Sequence, residues 1–382
     1  MFVELHIIQN FAPANLNRDD TNSPKDCEFG GVRRARISSQ CLKRAMREAP
    51  VFAATTRADN GVRTRWLARK VKGALVDAGK APAEAAVVAN TFAAEYSGKT
   101  ESVKESDVDR TAVLIYLSPE ELQAAGAGLL AGWEAALAAS ASPEDKAAQK
   151  ASPVPALVKN LVKASQGRTS APDIALFGRM LADNPRLNLP AACQVAHAIS
   201  THRVAMDLDF YTAVDEAAES EETGAGMMGV TGFNSACFYR YARVDVDLLR
   251  QNLDGDPELA ERTLEGFLRA AVAAVPKGKQ NSSAAHNPPS FLLAVVRRDG
   301  QGWSLANAFE RPVTAGREGG LVGRSVEKLA RYYASLRRTY GEGGVPVALV
   351  LDAGLDLGPL GEATVESMEE WVAAVKAAMG GQ

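Results

Sequence analysis

Apolar side chains at Val3, Leu5 and Ile7 alternate with Glu4 and His6, the period-two pattern of a strand that sets one series of side chains on a buried face. Residues 11–31 are rich in Asn, Asp, Pro and Gly and read as an irregular loop. Beyond it, Ser38 or Ser39 is placed to cap a helix that begins near Gln40. On that helix Gln40, Lys43, Arg44 and Arg47 fall at i, i+3, i+4 and i+7 and share one face, while Leu42, Ala45 and Met46 form the other. Residues 52–168 turn Ala-rich with few β-branched runs, punctuated by Gly98, Ser118-Pro119 and the segment 140–143, which predicts a helical insertion. Residues 201–234 are irregular, acidic and Gly-rich, with Glu221 and Glu222 before Gly224, and predict an extended arm or hairpin. The C-terminal part alternates a strand at 291–296, the turn Arg298-Asp299-Gly300, a helix near 325–340 and a strand at 345–351. The pattern is that of a mixed α+β fold without a fixed-period repeat.

Composition narrows the class. Of 382 residues, 46% are hydrophobic and 23% charged, the mix of an ordinary globular chain and not of a disordered one. The formal net charge of -3 announces no nucleic-acid partner, so any such signal must be local. Cys27, Cys41, Cys193 and Cys237 are far apart with no C-x-x-C pair, which argues against a zinc site and a disulfide framework and fits a reducing cytoplasm. MFVELHIIQNF has neither the basic start nor the long apolar run of an export signal, and the Ala/Leu-rich stretch at 125–139 falls short of the about 20 residues a membrane span needs. The expectation is a cytoplasmic protein without membrane contact or cofactor.

The local signal lies between Gly30 and Arg47. Six basic residues (Arg33, Arg34, Arg36, Lys43, Arg44, Arg47) occur there with no acidic one. Ser38, Ser39 and the unpaired amides of the following helical turn add donors suited to a phosphate oxygen. Gly30-Gly31 lets backbone approach a ligand closely. The combination is either a device for holding a nucleic-acid backbone or a solvated basic helix face. Arg57, Arg63, Arg65, Arg69 and Lys70, and Lys277 and Lys279 beside Gln280 and Asn281, are further basic clusters that extend such a groove or line an outer helix face.

Several motifs in order decide between these readings. LNRDD at 16–20, Lys25-Asp26, FGG and RISSQ-x-LKRA at 29–45, ALFGRM at 175–180, HAISTH at 197–202, DFYTAVD at 209–215, FYRYA at 238–242, VPKGKQ at 275–280 and LANAFE at 305–310 resemble the CasC family, the repeated backbone subunit of the type I-E CRISPR effector Cascade. The resemblance implies a modified RRM-like (ferredoxin-like) palm at 1–51, 169–200 and 235–382, helical fingers at 52–168 and a thumb arm at 201–234. It implies a non-catalytic subunit whose copies line up along one CRISPR RNA with other Cascade subunits and leave bases free to pair with target DNA. Arg18, Lys25, Arg34, Ser38, Ser39, Gln40, Lys43, Arg44, Arg47, Arg179, Lys277, Lys279 and Gln280 are the implied RNA contacts. Met180, Phe210, Met227 and Met228 are the implied wedges that displace a base, although a Met or Phe is more often core.

Other signals carry less. Residues 224–229 formally match G-x-G-x-x-G but lack the strand-to-helix context of a dinucleotide site, and 73–80 has the wrong spacing for a phosphate loop. His197 and His202 have no third metal ligand nearby in sequence. Relatives in type III systems cut RNA with an acidic residue in the equivalent loop, which makes Asp19, Asp20 and Asp26 the candidates for a metal-dependent endoribonuclease. The competing reading is that these aspartates bond loop backbone or pair with Arg18 and Lys25.

Overall fold

β1 (Phe2–Ala14) is the central strand of the main sheet. The structure, a computed structural model, describes residues 1–181, 184–214, 225–316, 320–341, 344–352, 354–355 and 357–380, with the side chains of 213–214 and 225–228 outside the description. Two compact units result: Met1–Ala54 with Gln194–Val246 and Leu264–Gln382, and Thr55–Cys193 with Asp247–Thr263.

In the first unit the strands run in the order Thr364–Val365, Val345–Val350, Phe291–Arg297, β1, Ala225–Asp245, Ala198–Ser200, β3 (Val32–Ile37) and β2 (Asp26–Phe29). β1 pairs antiparallel with Ala225–Asp245 on one side, Leu5 opposite Ala242, and with Phe291–Arg297 on the other, Leu5 opposite Ala294. The strand is read correctly, but both of its side-chain series are buried, Glu4 and His6 as fully as Val3 and Ile8. Layers on both faces explain this. α1 (Ser39–Arg47) brings Leu42 and Met46 to the face of Leu5 and Ile7, and the helix Met368–Gly380 packs on the strand Val345–Val350, its Trp371 indole donating to the Val347 carbonyl. The helix Val322–Tyr340 lays Val326, Leu329, Ala330 and Tyr333 on the opposite face, over Ile8, Tyr239, Phe291 and Leu293.

The polar series on β1 finds partners within that second layer, although His6 Nε2 is buried without one. Glu4 is ion-paired to the equally buried Arg297 and accepts from the Tyr241 hydroxyl and the Trp303 amide, each at 2.7 Å. A charge without water needs such compensation, because an unpaired one costs several kcal/mol. His6 Nδ1 is 2.9 Å from the Tyr239 hydroxyl, and burial holds its pKa down at about 4.

The predicted arm is a hairpin in which Asp207–Val214 pairs with the first part of Ala225–Asp245, Phe210 opposite Val230. Glu221, Glu222 and Gly224 of that prediction lie outside the described residues. Leu208, Phe210 and Val230 on the hairpin are 61%, 75% and 53% exposed, large apolar side chains left open among the described residues.

The second unit is mainly helical around Leu67, Val71, Phe92, Leu129, Trp133 and Val158. It also contains a small sheet that the Ala-rich composition hid, Val62–Thr64 with Ile115–Leu117. Three-residue strands are too short for alternation to register in sequence.

Candidate nucleic-acid interface

α1 starts at Ser38, whose extended backbone and side-chain oxygen, accepting from the Cys41 amide at 3.3 Å, form the helix cap. Ser38 is therefore buried as a cap, and Ser39 beside it is half-buried. The apolar face seals against the sheet through Leu42, Ala45 and Met46. Gln40 and Arg44 are exposed and Lys43 and Arg47 partly so, and the first turn holds no acidic residue to repel an anion.

The Asn-rich loop is fastened to the start of this helix. Asn17 Oδ1 accepts from the Ser38 amide at 2.8 Å, the Asn17 carbonyl accepts from the Lys25 amide at 2.8 Å, and the Lys25 carbonyl accepts from the Arg36 amide at 2.9 Å. Asn15, buried, donates through Nδ2 to the carbonyls of Asn22 and Gly232, so the same loop is tied to the base of the hairpin. The VPKGKQ turn packs on it from the other side: a Cβ at Gly278 would overlap the carbonyl oxygens of Asn15 and Leu16. Gln280 is spent holding that turn, donating to the Pro276 carbonyl and accepting from the Ala285 amide. Between hairpin, loop and turn lies a cleft of about 210 Å³, lined by Asn15, Asp209, Thr231, Lys279, Ser282 and Ser283. Asn15, Asn17, Ser282 and Ser283 were not singled out in sequence; the two asparagines flanking Leu16 in a turn-rich segment were the available signal.

Charges converge on the same surface. Arg44 and Lys277 share Glu48, at 2.8 and 2.9 Å, and those hydrogen bonds hold the Glu48 carboxyl below its ordinary range. Lys25 and Arg44 both lie close enough to act on the Cys41 thiol, which burial nevertheless pushes up. Arg18 is exposed and donates to Asn22 Oδ1 at 2.7 Å. Asp19 accepts from the Thr21 hydroxyl and from the amides of Thr21 and Ser23, and its carboxyl is held low, chiefly by the Thr21 hydroxyl. Asp26 pairs at 2.6 Å with Arg33 and not with Lys25, and Asp20 is exposed.

Two predicted contacts are corrected. Arg34 is fully buried, and its guanidinium donates to the carbonyls of Phe29, Ser200, Phe309 and Glu310. It braces the β2–β3 hairpin, whose turn is Gly30-Gly31; both glycines have positive φ, and a Cβ on Gly30 would strike the Glu310 carbonyl. That pair therefore serves the turn. Arg179, in the second unit, is also buried, ion-paired to Glu121 at 2.8 Å and donating to the Leu187 carbonyl. A side chain with no exposed surface cannot meet a phosphate.

Met180 beside it is 86% exposed and lines a cleft of about 400 Å³ with Arg63, Leu114, Tyr116 and Phe177. Phe210 is exposed on the hairpin, while the Met227 and Met228 side chains lie outside the described residues. Of the other basic cluster, Arg65 pairs with Glu101, Arg69 stacks over Trp66 and Arg63 over Tyr116, the last at 4.5 Å. His202 Nε2 accepts from the Cys237 amide, and His197 lies 3.1 Å from Arg36. Among the described residues no three His, Cys, Asp or Glu side chains gather as a metal site, and no helix is long and apolar enough to cross a membrane.

The sequence pattern of the CT1975-like proteins matches residues 3–375 of the chain. The chain belongs to that family, the CasC family of CRISPR-associated proteins. A chain of a solved structure described as "CRISPR RNA-guided surveillance complex, pre-nicking" is similar to this family member at 31% identity, covering 99% of this chain and 100% of that one with a TM-score of 0.86. A second, from a "CRISPR RNA-guided surveillance complex", is 27% identical over 99% of this chain and all of that one, TM-score 0.77. The α+β fold expected of the CasC family is thereby shown. Comparison with curated proteins gives no match.

Proposed function

We propose that this CasC-family chain is a guide-RNA-binding backbone subunit of a CRISPR surveillance complex of type I-E, several copies lying along one RNA beside other subunits of the effector and presenting its bases to target DNA. The observation that carries the reading is the convergence of three sequence-distant segments, the 15–25 loop, α1 and the 275–280 turn, on one cationic surface within the first unit. Arg18, Lys25, Ser39, Gln40, Lys43, Arg44, Arg47, Lys277 and Lys279 hold the sugar-phosphate backbone there, through charge and the donors of the helix start. Backbone holding leaves base edges free to read the target. Met180 and Phe210, large apolar side chains left in solvent, act as wedges that unstack a base.

The role is non-catalytic in this reading. Asp19 is occupied by three loop donors and Asp26 by Arg33, an arrangement suited to shaping the loop. Electron micrographs of the chain with guide RNA are expected to show copies in a row, and labelled target RNA is expected to stay intact with magnesium. Cleavage that disappears on Asp26→Asn would overturn the non-catalytic role.

A further inference from the structure

The helix Val322–Tyr340 carries a second cationic surface that the guide-binding reading does not use. Arg324, Lys328, Arg331 and Arg338 follow one another at intervals of four, three and seven residues, which places them on one stripe. At 1.5 Å per residue the stripe is about 21 Å long. It faces solvent, since Val326, Leu329, Ala330 and Tyr333 occupy the other side of the helix against the sheet.

Two of its cations are held in place by the preceding loop. Arg324 donates to the Thr314 carbonyl at 3.0 Å, and Lys328 to the carbonyl of Arg311, itself exposed. Arg311 therefore adds a fifth cation, and among the described residues Glu310 and Glu327 stand near; Glu327 reaches Arg331 at a loose 3.8 Å. Burial and the neighbouring guanidinium groups of Arg34 and Arg311 press the Lys328 pKa down, so like charges have been brought together against their own repulsion. Such crowding is offset when a polyanion binds.

The stripe does not continue the clamp. α1 packs on the face of the sheet that carries Leu5 and Ile7, and the basic helix on the face that carries Ile8 and Tyr239. Strands and their side chains separate the two, so an RNA strand held at α1 leaves this stripe unneutralised. A straight cationic row fits a straight, regularly charged rod.

We infer that the exposed stripe of Val322–Tyr340 docks the phosphate backbone of duplex DNA, independently of base sequence and separately from the guide. The inference rests on the chain working in an RNA-guided complex, so guide binding is measured in parallel.

The experiment uses the full chain assembled with guide RNA and a duplex lacking any match to it, with binding followed across a salt series. In Arg324→Ala/Lys328→Ala/Arg331→Ala, losing three contacts is expected to reduce the log-log salt slope by about 2.7, equivalent to about 500-fold at 0.1 M salt. Because Arg324 and Lys328 also hold the loop, Arg331→Gln/Arg338→Gln is the companion variant, which touches no loop carbonyl among the described residues; its slope is expected to fall by about 1.8. Guide binding stays at the parental value in both. An unchanged duplex affinity and slope in the companion variant overturns the inference, as does weakened association with another protein chain while duplex binding persists. Failure of the parental chain to bind guide RNA, with duplex binding intact and stripe-dependent, would count against the guide reading alone.

Discussion

Glu48 makes a sharp test of where the guide backbone runs, because it restrains two of the proposed contacts. Its carboxylate lies 2.8 Å from Arg44 and 2.9 Å from Lys277, whose side chains are 75% and 77% exposed. A phosphate approaching either cation must compete with that carboxylate, at about 1 kcal/mol or less per exposed pair. Glu48→Gln keeps the shape and removes the charge. The freed cationic charge corresponds to at most one more phosphate neutralised, which steepens the log-log salt slope for single-stranded RNA by about 0.7 and tightens binding about fivefold at 0.1 M salt. Lys25→Ala acts in the opposite direction by a similar factor. Because its two hydrogen bonds hold the Glu48 pKa below the ordinary carboxylate range, the carboxylate stays ionised from neutral pH through pH 5, and the gain is constant over that window. Fluorescence anisotropy of labelled guide RNA at four or five salt concentrations measures both quantities. Unchanged or weaker binding by Glu48→Gln with an unaltered slope would show that the phosphates do not pass Arg44 and Lys277.

Further expectations follow from packing and burial. Gly278→Ala forces a Cβ into the carbonyls of Asn15 and Leu16, and an overpacked contact of this kind costs about 1–3 kcal/mol, visible in thermal or urea melts; an unshifted melt refutes the close packing. Met180→Ala and Phe210→Ala, at solvent-exposed side chains, are expected to change stability by less than about 0.5 kcal/mol while weakening assembly on guide and target. A large drop in the melting midpoint of either would instead place it in a core. His6, lowered from 6.5 to about 4 by burial, is neutral when folded and takes up a proton more readily when unfolded. Stability is accordingly full above pH 6.5 and declines as the pH falls toward 4, by roughly 3 kcal/mol from this group. Urea midpoints at pH 7.5 and 5 check this, and His6→Gln should flatten the difference.

How much could be read in the sequence differs from residue to residue for physical reasons. The α1 cap and its two faces were legible because a helix of nine residues carries its polarity in local spacing. The alternation in β1 gave the strand but not the burial of Glu4 and His6, since the second covering layer comes from residues 322–340, far along the chain. Arg34 sits in the same basic run as Lys43, yet one braces backbone carbonyls and the other is partly exposed; charge pattern alone cannot tell a guanidinium satisfied by carbonyls from one facing solvent. Arg179 misled for the same reason, its partner Glu121 being 58 residues away. The hairpin was legible as an arm from Gly and acidic composition, whereas Asn15 and Asn17 gained meaning only from the amide and carbonyls they reach.

The strand Ala225–Asp245 belongs to two structures at once, edge partner in the hairpin and neighbour of β1 in the sheet. Side chains along a strand alternate, so the rungs from Phe2–Asp245 to Phe11–Ala236 dictate which way the residues from Gly229 to Asn234 point. The sheet thus works as an indexing jig for the arm. One residue inserted between Val230 and Asn234 would leave the sheet intact and exchange the two faces of the arm's strand, whereas two would lengthen the reach and preserve its orientation.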